Sequence, residues 1–228
     1  SAWSIVRLNA FPNDSGANEP EFRSTAMGAD DVVFTLDGHT APDTTGPLQE
    51  VTVPHRLRNR LNTMLNAGQP VPAFSCSVFE TVVVGNEEAN AAGTAQEKRP
   101  DLTIRRCGVH PVGVERGDNA LFIECKVVDA TRTMKRYVPD GLARFVDGTC
   151  ARAVSIGLMV AYVDGPYKLP GTLQKYLRGK GCEVPFHTLH QEDSRGGLTV
   201  SVHPRGWTYP KGGTPGDIRV GHLWIAMP

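Results

Sequence analysis

Apolar residues recur along this chain in two rhythms, a period of two that marks strands and a spacing of three and four that marks helices. Trp3-Ser4-Ile5-Val6-Arg7-Leu8 and Val32 to Leu36 read as strands, the second stopped by the turn pair Asp37-Gly38. Residues 9–31, rich in Asn, Pro, Gly, Ser and acids, and 38–48, with Pro42, Gly46 and Pro47, read as loops. Pro54 suits the first turn of a helix to about Asn66, with Leu57, Leu61, Met64 and Leu65 on one stripe and Gly68 as its stop. Phe74 to Val84 reads as one or two strands, and residues 85–98 as a polar connection. Asp101 to Arg105 predicts a strand with Leu102 and Ile104 on one face, and Glu115 to Asn119 the turn into a strand over 120–128. Gly141 to Gly157 predicts a helix capped by Asp140, followed by Leu158 to Val163, an unbroken apolar run of the kind covered on both faces. Thr172 to Leu177 predicts a short basic helix closed by Gly179, and Leu198 to Val202 and Ile218 to Ile225 two last strands. The elements predict one α/β domain over 1–228.

Composition narrows the class. The 228 residues are 40% hydrophobic and 21% charged, the balance of a chain that buries a sizeable core. No apolar stretch reaches the length of a membrane span, and the opening Ser1-Ala2-Trp3-Ser4 lacks the charged-then-apolar pattern of a secretory leader. Five scattered cysteines without a Cys-x-x-Cys pair favour buried thiols over a zinc ribbon, and with them a cytoplasmic location. Net charge is zero, so any affinity for phosphate must be local.

The strand over 120–128 carries the chemistry. Its alternation places Leu121, Ile123, Cys125 and Val127 on one face and leaves Glu124 and Lys126 together on the other. Two opposite charges on a core strand are costly to desolvate without partners or work. Asp101 opens the preceding strand and could meet them across a hairpin. A cross-strand ion pair on an exposed face of an unrelated interaction protein is the plainer reading; it makes Lys126 worth about 0–1 kcal/mol in stability. Arg56, Arg58 and Arg60 read first as the solvated face of their helix. His187, His190 and His203 lack the spacing of a zinc site, since Pro185 and the polar residues 191–197 point to loop. Trp207, Tyr209, Lys211 and Arg205 form an aromatic-basic patch that could stack bases or decorate a hairpin.

Taken in order (helix, strand, strand with Pro100-Asp101, strand with Glu124-Cys125-Lys126, helix, buried strand), residues 50–165 resemble the PD-(D/E)xK nuclease superfamily. The resemblance implies a restriction-endonuclease-like fold, a mixed central sheet flanked by helices, with residues 1–48 and 166–228 as decorations carrying extra N- and C-terminal strands. It implies a metal-dependent nuclease acting on DNA. Asp101, Glu124 and the main-chain carbonyl of Cys125 would hold Mg²⁺, for which Mn²⁺ can substitute, and Lys126 would attend the attacking water. Hydrolysis would leave a 5′-phosphate and a 3′-hydroxyl. Members often add an acid from the first helix; the helix at 54–66 has none, and Glu50, or less favourably Glu80, is the substitute. Arg144 and Lys135 stand where such proteins place a residue facing the phosphate. The resemblance further implies a prokaryotic defence effector working with an ATPase, helicase or sensor subunit, and a homodimer. A catalytically inactive subunit of the same fold, acting in binding or assembly, is the alternative.

Overall fold

A computed structural model describes residues 3–9, 31–37, 52–67, 74–85, 100–107, 120–151, 154–191, 198–209 and 212–226. Strands β1 (Trp3–Asn9) and β2 (Asp31–Asp37) form where the sequence predicts strands, and they pair antiparallel as a sheet of their own. The remaining strands, β3 (Val83–Val84), β4 (Leu102–Arg105), β5 (Ala120–Val128), β6 (Ile156–Val163), β7 (Thr188–Gln191), β8 (Thr199–His203) and β9 (Ile218–Ala226), form one seven-stranded mixed sheet in the order β3-β4-β5-β6-β9-β8-β7. The parallel pairs β5/β6 and β6/β9 lie at its centre, and antiparallel pairs flank them. Every residue of β5 and β6 is buried, which is why β6 reads as a continuous apolar run.

Helix α1 (Thr52–Ala67) covers one face. Val53, Leu57, Leu61, Met64 and Leu65 fall on one side at helical spacing and pack against Leu121, Ile123, Cys125 and Val127 of β5. Each such side chain taken from water contributes about 1.5–3 kcal/mol. The amide of Asn62 locks the helix to the chain entering β3, donating to the Val82 carbonyl at 3.1 Å and accepting from its N–H at 2.8 Å. Arg56 and Arg60 point to solvent and Arg58 is half-buried.

The other face is covered by α2 (Met134–Tyr137), a π turn (Val138–Leu142), α3 (Ala143–Val146) and α4 (Gly171–Leu177). Here the structure departs from the helix expected over 141–157. The helical segment starts at Met134, with Thr133 as N-cap, and ends at Val146. Pro139 explains the displacement. It has no N–H to donate, and its ring crowds the carbonyl four residues back, so the ladder widens and Ala143 N–H reaches the Val138 carbonyl. Asp140 is therefore no cap; it sits exposed in the π turn, 3.7 Å from Arg136. Phe145 packs against Gly157, where a Cβ would stand 2.5 Å from its ring. Trp207 closes the end of α3 by donating to the Val146 carbonyl at 3.1 Å and packing on Gly148, whose φ of +76° suits glycine.

A buried chain of hydrogen bonds ties this layer to the far strands. Tyr137 Oη meets His222 Nδ1 at 2.8 Å, His222 Nε2 meets Ser201 Oγ at 2.7 Å, Ser201 Oγ meets His203 Nε2 at 2.6 Å, and His203 Nδ1 meets the Pro185 carbonyl at 2.6 Å. The carbonyl can only accept, so His203 carries its proton on Nδ1, and each link back to Tyr137 then has one consistent direction.

Three further expectations change. Phe74 to Val84 yields only the short β3 and a bridge from Phe79 to Arg106, because residues 75–78 form a turn. Thr188–Gln191, read as loop, is the edge strand β7. Residues after 166 supply β7, β8 and β9, and β9 lies beside β6, so they complete the main sheet rather than decorate it. Among the described residues no helix is long and apolar enough to cross a membrane. Cys125 and Cys150 are buried thiols, whereas Cys76 is exposed.

Candidate functional site

The hairpin register brings the first two carboxylates together. Leu102 pairs with Ile123, and the same register carried one step on sets position 101 opposite Glu124. Side chains directly opposite on antiparallel strands share a face. Asp101 Oδ2, just ahead of β4, accepts a hydrogen bond from Cys125 N–H at 2.7 Å. Within a strand the N–H and C=O of one residue leave by the same edge, so the Cys125 carbonyl is also directed to the side where Asp101 lies.

Glu124 is wholly buried. Its Oε2 accepts from Arg144 Nη1 at 2.6 Å, with Lys126 Nζ at 3.8 Å from the same oxygen. Its Oε1 has no hydrogen-bond partner among the described residues. Burial, reinforced by the charge of Asp101, pushes the Glu124 carboxyl up to about 8; Arg144 and Lys126 pull the other way without prevailing. Near neutral pH the group therefore favours holding a proton. A cation reaching Oε1, which has no partner among the described residues, would compete with that proton. Lys126 is 9% exposed and lies under the π turn, where a Cβ on Gly141 would stand 3.2 Å from its Cε and 2.6 Å from Met159 Cε.

The other expected residues are placed as follows. Arg144 faces Glu124, with its side chain 13% exposed. Lys135 is exposed on α2, and no hydrogen bond or ion pair joins it to Asp101, Glu124 or Lys126. Glu50 lies outside the described residues. Glu80 donates its N–H to the Arg105 carbonyl at 2.8 Å, which puts it at the opposite end of β4 from Asp101. The aromatic-basic patch is turned inward. Arg205 is 6% exposed and donates to the carbonyls of Gly216, Val154 and Pro215 at 2.7–3.0 Å, while Lys211 is outside the described residues. His203 is engaged with Ser201, and His187 lies 3.4 Å from Asp217.

Among the described residues no group of three or more His, Cys, Asp or Glu side chains is arranged to hold a metal ion. Two carboxylates and a main-chain carbonyl remain as hard oxygen donors, and the partnerless Glu124 Oε1 is what such a group would satisfy. The set suits a hydrated Mg²⁺, which keeps several waters and takes few protein ligands. The pairing of Arg144 with Glu124 escapes sequence reading, although a lone cation between Leu142-Ala143 and Phe145-Val146 is its signal. No protein family model, curated protein or solved structure matches the chain.

Proposed function

We propose that this protein is a metal-dependent nuclease of the restriction-endonuclease-like fold that hydrolyses phosphodiester bonds in DNA. The observation that carries the reading is the buried Glu124 carboxylate, one oxygen held by Arg144 and the other without a partner, facing Asp101 across the hairpin with Lys126 one pleat on. The neighbouring order β3-β4-β5-β6, with α1 before it, the α2–α3 segment between β5 and β6, and β5 parallel to β6, supports the fold assignment.

Asp101, Glu124 and the Cys125 carbonyl would hold Mg²⁺ or Mn²⁺, which would supply a lowered water pKa and charge stabilisation at the phosphate. The protein's own contribution is positional. Arg144 fixes Glu124 through Oε2 and so presents Oε1; the Cys125 N–H fixes Asp101; the π turn confines Lys126 beside Glu124, where its ammonium would offset negative charge gathered at the reacting phosphate. A partner subunit for targeting suits a chain whose net charge is zero.

The test is cleavage of duplex DNA, single-stranded DNA and RNA by the purified protein with Mg²⁺ or Mn²⁺. Asp101→Ala, Glu124→Gln and Lys126→Ala should each lower the rate by about 100-fold or more while keeping the fold. A wild type that cuts none of them, or an Asp101→Ala variant as fast as wild type, sinks the reading. One observation favours the alternative of an inactive binding or assembly subunit: Arg144 already supplies Glu124 with a cation at 2.6 Å. Calorimetry separates the two, because a non-catalytic scaffold shows no Mn²⁺ binding that Asp101→Ala abolishes.

A further inference from the structure

Residues 165–182 carry four basic side chains and no acidic one, in a chain whose net charge is zero. Lys168, Lys175, Arg178 and Lys180 are all exposed, and none forms an ion pair among the described residues. Arg132, Arg136 and Arg144 on the same side of the sheet each have a carboxylate within 4.0 Å. These three arginines are thus matched by acids, whereas among the described residues no carboxylate lies within 4.0 Å of the four basic groups of 165–182.

Its place in the fold gives the cluster meaning. Leu173 and Leu177 of α4 pack in the layer that includes Phe122 and Val128 of β5, the face from which Glu124 and Lys126 project. β5 and β6 are parallel, so their C-terminal ends share one edge, and antiparallel β4 begins there, just after Asp101. Lys126 stands two residues from the end of β5, roughly 7 Å along the strand. The basic segment leaves from that edge. Asp164 N–H donates to the Val128 carbonyl at 2.8 Å, and Tyr167 Oη donates to the Asp129 carbonyl at 3.1 Å, so its start is fastened to the end of β5. Phosphate groups of a polyanion are held by exposed Lys and Arg, which displace counterions as they bind, and base sequence plays no part in that term.

We propose that the basic segment 165–182, at the common edge of β5 and β6, is the surface along which the phosphate backbone of a nucleic acid reaches Asp101, Glu124 and Lys126. The identity of the site rests on the nuclease reading; the binding surface does not require cleavage. Binding of a fluorescent DNA duplex by the full chain is measured in EDTA over a range of salt. Lys168→Ala, Lys175→Ala, Arg178→Ala and Lys180→Ala combined should weaken binding by 10-fold or more. They should also lower the slope of log K against log salt by up to about 3.6, at about 0.9 for each phosphate no longer neutralised. Arg58→Ala with Arg60→Ala, on the α1 face, should leave both quantities within 2-fold, with circular dichroism confirming that each variant is folded. Equal weakening by the α1 pair, an unchanged quadruple variant, or a wild type that binds anionic phospholipid vesicles and not DNA overturns the proposal. A wild type that binds through these residues yet never cuts overturns the nuclease reading alone.

Discussion

Glu124 and the two buried histidines link proton binding to stability with opposite signs. Native Glu124 keeps its proton to about pH 8, whereas in the unfolded chain it loses it near 4.5, so its contribution is full below 4.5 and is lost as pH rises through about 8. Burial lowers His203 to about 4 and His222 to about 3, so their contribution is present above 6.5 and is lost as pH falls through those values. In EDTA the melting temperature should therefore peak near pH 6. Glu124→Gln, whose amide has no proton to lose, should flatten the alkaline limb and leave the acid limb in place. Melting curves from pH 4 to 9 check this, and a Glu124→Gln variant whose stability falls as steeply as that of the wild type between pH 6 and 8 contradicts it. The period-two alternation over 120–128 suffices to put Glu124 and Lys126 on one face, because strand geometry leaves no other choice. Arg144 is not legible in this way, since its direction depends on a helical phase that Pro139 resets.

The α2–α3 segment and its widened turn set the height of one wall above the site. Two glycines take part differently. A methyl at Gly157 meets the buried ring of Phe145 at 2.5 Å, and neither side can withdraw, so Gly157→Ala should cost about 1–3 kcal/mol in urea unfolding. A methyl at Gly141 meets Met159 Cε at 2.6 Å and Lys126 Cε at 3.2 Å, the ends of flexible chains. Gly141→Ala should thus cost under about 1 kcal/mol yet slow DNA cleavage by about 10-fold or more through displacement of Lys126. Equal losses of rate at equal stability in the two variants would remove Gly141 from the site. α1, β4, β5, β6, α4, β8 and β9 are legible within a few residues because burial imposes their period. β7, Thr-Leu-His-Gln, is a mostly exposed edge strand and carries no such imprint.

At the scale of the whole molecule, strand order is where local reading stops, since adjacency between β6 and β9 leaves no mark in either segment. The consequence for boundaries is direct. Removing residues 166–228 takes three of the seven strands and bares the full length of β6, whose residues are all buried, as an open apolar edge. The truncated chain should be insoluble or lack a cooperative melt, measured by solubility and circular dichroism; a soluble, cooperatively melting fragment would show that the sheet is complete without β9. The same long-range pairing governs how the protein comes into being. On the ribosome β6 emerges well before its partner at Ile218–Ala226, and parallel pairing over such a separation closes slowly. Tyr137 finds His222 only when β9 docks, so the wall above Glu124 is secured last. A nascent chain thus carries its carboxylates for some time before it has the enclosure that would make them act.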